Sequence, residues 1–212
     1  TQGVTWLWSG PGGFTSDVQN PAVSSGGTYL LTVTNPQNGC SATATATVLQ
    51  NLTPPPVSVA LPEGGALTCA KPAVLLQAAV PGSNGYVWSG PAGFVFNGPA
   101  PAVNVAGTYT VVVTSLANGC TATATANITE NKTPPVAGVT APAGLLLTCV
   151  QSFVALQGTG GGTYAWAGPN GFQLSDPNAS VNIAGLYTLT VTNPANGCTA
   201  TTTADILEIG RA

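Results

Sequence analysis

The chain has 212 residues but only three basic and six acidic side chains, a net charge of −3 and no His or Met, where soluble domains usually carry about 25% charged residues. Without His the commonest general base and metal ligand is missing, and three cations cannot neutralise a phosphate backbone, so nucleic acid is excluded as a partner. No run approaches the roughly 18 apolar residues of a membrane span, so no membrane insertion is expected. Each acid stands alone and no Ser or Cys has a base beside it, which leaves no constellation for acid–base or nucleophilic chemistry. A non-enzymatic, cofactor-free, extracytoplasmic all-β protein is expected. Thr1-Gln2-Gly3-Val4 shows neither an initiator Met nor an export leader, so the chain is expected to be a processed product or an excerpt of something longer.

Taken in chain order, the segments repeat. Trp8-Ser9-Gly10-Pro11-Gly12-Gly13-Phe14 returns as Trp88-Ser89-Gly90-Pro91-Ala92-Gly93-Phe94 and as Trp166-Ala167-Gly168-Pro169-Asn170-Gly171-Phe172, at spacings of 80 and 78. Asn38-Gly39-Cys40, Asn118-Gly119-Cys120 and Asn196-Gly197-Cys198 keep the same spacings, and Leu67-Thr68-Cys69 matches Leu147-Thr148-Cys149 at 80. Several markers on one period mean tandem repeats. Each unit is long enough for a small core stapled by a disulfide. Thr53-Pro54-Pro55 and Thr133-Pro134-Pro135 mark the joints, because paired prolines cannot continue a ladder. The expected domains are 52–131 and 132–212, preceded at 1–51 by the C-terminal part of an incomplete repeat.

Within each unit the apolar period is two. Tyr109, Val111 and Val113 share a face, as do Tyr187, Leu189 and Val191, and Tyr29 holds the matching position. The following Thr/Ala run alternates, and Asn-Gly between the two runs signals a hairpin. About seven short strands per unit, with no helix of ordinary length, indicate tandem β-sandwiches. Trp8, Trp88 and Trp166 sit in strand register with Trp6, Tyr86 and Tyr164, so they and Tyr29, Tyr109 and Tyr187 are expected as core aromatics rather than sugar-stacking platforms. Phe14, Phe94 and Phe172 are expected to plug the sandwich end.

The repeat register pairs Cys69 with Cys120 and Cys149 with Cys198, two intradomain disulfides that place the protein in an oxidising compartment. A zinc site would need clustered ligands. Cys40 is left over. Three readings stand: a partner upstream in a longer array, a bond to another chain that adds the missing strands head to tail, or a reactive free thiol. Asp17 and Asp176 are too isolated for a hard-cation site, the intervening repeat having Asn97 there. Lys71 becomes Gln151 in the next repeat, which argues against an isopeptide role for it or Lys132. Asn51, Asn127, Asn131 and Asn178 match the glycosylation sequon. An intact mass equal to that of the bare polypeptide removes the sugar-coat reading.

The combination Tyr86-Val-Trp88-Ser-Gly-Pro-Ala-Gly-Phe94, Pro101-Ala102-Val103, Gly107-Thr-Tyr109 and Asn118-Gly-Cys120, echoed by Asn20-Pro21-Ala22-Val23, resembles the PKD-like and immunoglobulin-like repeats of giant Bacteroidota surface proteins. The resemblance implies export, through type IX secretion, and a role in adhesion, gliding or surface fibres. The expected function is a structural segment of an extracellular filament or adhesin stalk whose partner is a second copy or a longer array, with a surface glycan or a host or substratum ligand as a further partner. The alternative is a carbohydrate-binding module array of a secreted protein. Glu130 and Lys132 flank a joint, Glu208 and Arg211 lie at the end and Glu63 precedes a Gly-Gly turn, which leaves nearly neutral sandwich faces that deter association weakly.

Overall fold

The computed structural model describes residues 3–82 and 84–209; Thr1, whose standing as a terminus the sequence leaves open, and Arg211, expected as an end charge, lie outside the described residues. Described residues are all-β, and their only helical turns are the three-residue 3₁₀ turns Pro11–Gly13, Pro91–Gly93 and Pro169–Gly171. No helix among them is long and apolar enough to cross a membrane.

The first repeat contributes β1 (Thr5–Gly10), β2 (Phe14–Ser16), β3 (Gly27–Thr34) and β4 (Ser41–Val48). They form one antiparallel sheet in the order β2-β1-β3-β4, with β4 at its edge.

The second repeat contributes β5 (Ser58–Ala60), β6 (Ala66–Thr68), β7 (Val74–Leu75), β8 (Gln77–Ala79), β9 (Asn84–Ser89), β10 (Val95–Phe96), β11 (Ala102–Val103), β12 (Gly107–Ser115) and β13 (Thr121–Asn131). A five-stranded sheet, β10-β9-β12-β13-β6, faces the small pairs β11-β7 and β5-β8.

The third repeat contributes β14 (Gly138–Thr140), β15 (Leu146–Leu147), β16 (Val154–Thr159), β17 (Thr163–Ala167), β18 (Gln173–Leu174), β19 (Asn178–Val181), β20 (Gly185–Thr192) and β21 (Thr199–Glu208). Here β15-β21-β20-β17-β18 faces β14-β16-β19.

The period-two pattern accounts for the layering. In β12 and β20 every second residue from the Tyr onward is buried, and Thr110 and Val112, like Thr188 and Thr190, lie between them on the outer face. Trp88, Val111 and Val113 are fully buried against Val74 and Leu76 from the opposite layer and Leu67 from the edge strand of their own sheet, and Trp166 with Leu189 and Val191 packs in the same way on Val154, Leu156 and Leu147. Taking a Trp of this kind from water removes about 200 Å² of surface, worth roughly 5 kcal/mol before ordering costs.

The tyrosines lock the start of each late strand. The Tyr29, Tyr109 and Tyr187 hydroxyls donate to the carbonyls of Ser25, Val105 and Ile183 at 2.8, 2.8 and 3.0 Å. Phe14, Phe94 and Phe172 meet those rings edge to face, with centroids 5.4, 5.2 and 5.3 Å apart. The other side of each ring lies flat on Gly10, Gly90 or Gly168, where a Cβ would drive into it. The turn before each Phe holds two consecutive residues in the left-handed region, and Ala92 and Asn170 do so at φ 53° without glycine's freedom.

Burial pushes the Tyr109 and Tyr187 phenols above their ordinary value of 10.0, the backbone hydrogen bonds offsetting part of that. Because the folded state keeps these protons longer than the unfolded chain, stability is full below pH 10 and falls as pH rises through the tyrosine range. Tyr109→Phe should lose about 1 kcal/mol at neutral pH and flatten part of that alkaline decline, as read by urea unfolding at a series of pH values.

Candidate functional site

Among the described residues there is no group of three or more His, Cys, Asp or Glu placed to hold a metal. The chemistry is concentrated where one repeat meets the next.

Among the described residues one disulfide forms, Cys69–Cys198, with Cα atoms 5.0 Å apart and a sequence separation of 129. Cys40, Cys120 and Cys149 are free thiols. The expected intradomain pairs Cys69–Cys120 and Cys149–Cys198 are therefore corrected: the bridge runs between consecutive repeats. The reason is strand direction. β6 pairs parallel with the far end of β13, Thr68 level with Asn131, while Cys120 precedes the near end of that 11-residue strand. At about 3.3 Å per residue the two cysteines stand roughly 36 Å apart, far beyond the 4.4–6.8 Å Cα range of a disulfide. In the third repeat Leu147 is level with Glu208, and Cys198 lies at the other end of the 10-residue β21, about 33 Å away.

The parallel pairing places Cys69 at the exit of its own repeat, within reach of the next repeat's hairpin loop. There the Ala70 N–H donates to the Asn196 carbonyl at 3.1 Å. Gly197, at φ +70°, presses on Ala70 so closely that a Cβ would stand 2.5 Å from the Ala70 Cβ. Asn196 is 1% exposed. Its Nδ2 donates to Asn131 Oδ1 at 3.0 Å and to the Thr133 carbonyl at 2.9 Å, while its Oδ1 accepts the Cys198 N–H at 2.9 Å. Every hydrogen-bonding atom of this buried amide has a partner, as burial requires. The linker before Pro134 is thereby tied to the hairpin of the repeat it leads into.

Asn118 repeats the clamp. Its Nδ2 donates to Asn51 Oδ1 at 3.2 Å and to the Thr53 carbonyl at 3.0 Å, and its Oδ1 accepts the Cys120 N–H at 2.9 Å. Asn118 and Asn196 were missed as functional residues in the sequence because Asn-Gly reads as a turn. The signal was the joint recurrence of Asn-Gly-Cys with an Asn-x-Thr-Pro-Pro linker.

Other expected residues fall as follows. Trp88, Trp166, Tyr109 and Tyr187 are 0–2% exposed and Tyr29 is 3% exposed, so these rings offer no stacking face. Trp8 is only half-buried, and its Nε1 lacks an acceptor, whereas Trp88 and Trp166 donate to the carbonyls of Gly98 and Asp176 at 2.9 and 3.0 Å. Asn51, Asn127, Asn131 and Asn178 are all exposed, and Asn51 and Asn131 also serve as the clamp acceptors. Asp176 accepts the Asn178 N–H. Lys71 donates to the Glu63 carbonyl, and Lys132 pairs with Glu130 at 3.2 Å on the surface, an exposed pair of little stabilising weight.

No protein-family model matches the chain, and no curated protein matches it. Solved structures similar to it over nearly its whole length include a three-domain immunoglobulin fragment of titin, 15% identical, covering 99% of this chain and 89% of that one with a TM-score of 0.44. The three N-terminal domains of the highly immunogenic outer capsid protein of bacteriophage RB49 are 13% identical, over 99% and 89%, at 0.38. Sidekick-1 immunoglobulin domains 1–5 are 14% identical at 0.36, and the chain covers 97% of itself but 52%, about half, of that structure.

Asn196→Ala should cost about 2–4 kcal/mol, because it removes three hydrogen bonds and strands buried partners. Asn118→Ala, at a half-buried site, should cost less. Cys69→Ser should lower stability by up to about 5 kcal/mol in the chain-entropy model. Calorimetry of the three variants checks that order.

Proposed function

We propose that the chain is a non-enzymatic structural segment of an extracellular filament or adhesin stalk, in which immunoglobulin-like sandwiches are clipped covalently one to the next and the first sheet assembles head to tail by strand complementation. The observation that carries this reading is the Cys69–Cys198 bridge. A disulfide within a domain stabilises that domain alone, whereas one between repeats transmits load along the array. It also supports an oxidising, extracellular location. The buried aromatics favour the stalk over a carbohydrate-binding array, which needs exposed rings.

The bridge makes a mechanical prediction. Tension applied to the second and third repeats from either end passes from Cys69 to Cys198 and bypasses the chain between them. In single-molecule pulling, reductant should release about 450 Å of extension that the oxidised protein withholds, from 129 residues of separation at about 3.5 Å each. Equal extensions with and without reductant would overturn the stalk reading.

A further inference from the structure

The loop around Cys120 matches the occupied junction on every side but one. The Asn118 clamp reproduces that of Asn196 bond for bond. What differs is the Leu-Thr-Cys side: a Cβ on Gly119 would meet nothing within 4 Å, where one on Gly197 meets Ala70. Cys120 is a half-buried thiol, while Cys198 is bonded and 1% exposed.

The sheet β2-β1-β3-β4 differs from its counterparts in the same element. In the second repeat, the segment from β5 to β8 supplies Leu67, Leu76 and Ala78 to cover the sheet that holds Trp88 and Val111. In the first, Trp8, Leu31 and Val33 are only partly buried and Ala42, Ala44 and Ala46 are exposed. A groove of about 270 Å³ runs along Trp8, Pro21, Val23, Tyr29, Ala46 and Val48. The edge differs too. Thr129 and Leu207 donate their N–H groups to the carbonyls of Gly65 and Leu145, and the matching residue Leu49, 80 positions before Thr129, is 91% exposed.

We infer that this groove, the edge beyond β4 and Cys120 are one acceptor site for an unpaired strand segment of the type spanning β5 to β8, latched by a disulfide from Cys120 to the cysteine after its Leu-Thr. The inference rests on the strand-complementation reading above. Its occupant is defined by chemistry: a Leu-Thr-Cys strand laid parallel beside residues 49–51, followed by an alternating apolar strand that fills the groove. The register puts the incoming cysteine beside the linker that Asn118 holds, as Cys69 stands beside the linker that Asn196 holds. Bond formation removes two protons and two electrons from the two thiols. A disulfide oxidant such as oxidised glutathione takes them and leaves as two thiols.

The test mixes the 212-residue protein with a synthetic peptide of residues 55–82 in a glutathione redox buffer, followed by non-reducing peptide mapping and amide hydrogen exchange. One peptide should join each chain, its Cys69 bonded to Cys120 in preference to Cys40 and Cys149 by about tenfold or more, with exchange slowed at Leu49 and Asn51. Cys120→Ser should keep the slowed exchange and lose the bond, and a peptide carrying Leu67→Ser and Leu76→Ser should lose both. Slowed exchange with no preference for Cys120 overturns the latch and leaves complementation standing. Neither effect overturns both. Chains that dimerise without peptide through Cys120 and a second copy's Cys69 or Cys149 overturn the separate segment in favour of exchange between copies.

Discussion

The parallel pairing of the short Leu-Thr strand with the far end of the long last strand is the constraint on which the junction depends. An antiparallel partner at that edge would have turned the following cysteine back along its own repeat, toward the hairpin it was expected to join. Running parallel, the strand delivers Cys69 beyond the end of β13, where its own sandwich has no residue to offer it. The chain leaves β13 at the same point, so the next repeat's linker and hairpin loop arrive beside that cysteine.

Two interactions of different kinds then hold the junction. The Asn196 clamp is directional and fully satisfied, and it fixes the linker against the hairpin at a cost in side-chain freedom that a short amide keeps small. The disulfide acts on the unfolded state, closing a long loop. Neither uses charge, and the Lys132–Glu130 pair beside the linker is exposed and adds little to it. A junction built from amides and a covalent bond is insensitive to salt, unlike one built from ion pairs at the surface.

Much of this was legible in the sequence, because the period of two and the period of about 80 are local signals. They locate Trp88, Tyr109 and Val111 on one buried face and join β12 to β13, and the structure has both. The disulfide was not legible. Cysteine register says which positions are equivalent, but equivalent positions pair as well across repeats as within them, and only strand direction separates the two. Three residues of Leu-Thr-Cys carry no sign of direction. Asn196 was hidden for a related reason: a turn asparagine and a buried clamp have the same sequence signature, and burial at 1% comes from the neighbouring repeat rather than from its own loop.

The small residues of the last strand are common to the first sheet and the closed sandwiches. Ala42, Ala44 and Ala46 correspond to Ala122, Ala124 and Ala126 in a closed sandwich, so alanine there is set by the close approach of two layers and not by exposure. The Tyr29 hydroxyl bond and the Phe14 contact are internal to the first sheet, and the Asn118 clamp needs only the linker. These contacts lie within the sheet and its linker, so under the proposed complementation little further ordering accompanies association. In the second repeat large apolar side chains, Leu67 and Leu76, come from the covering segment, so under the proposed complementation recognition rests on what the incoming strand carries. A strand lacking them would find the edge of β4 but little to hold it there.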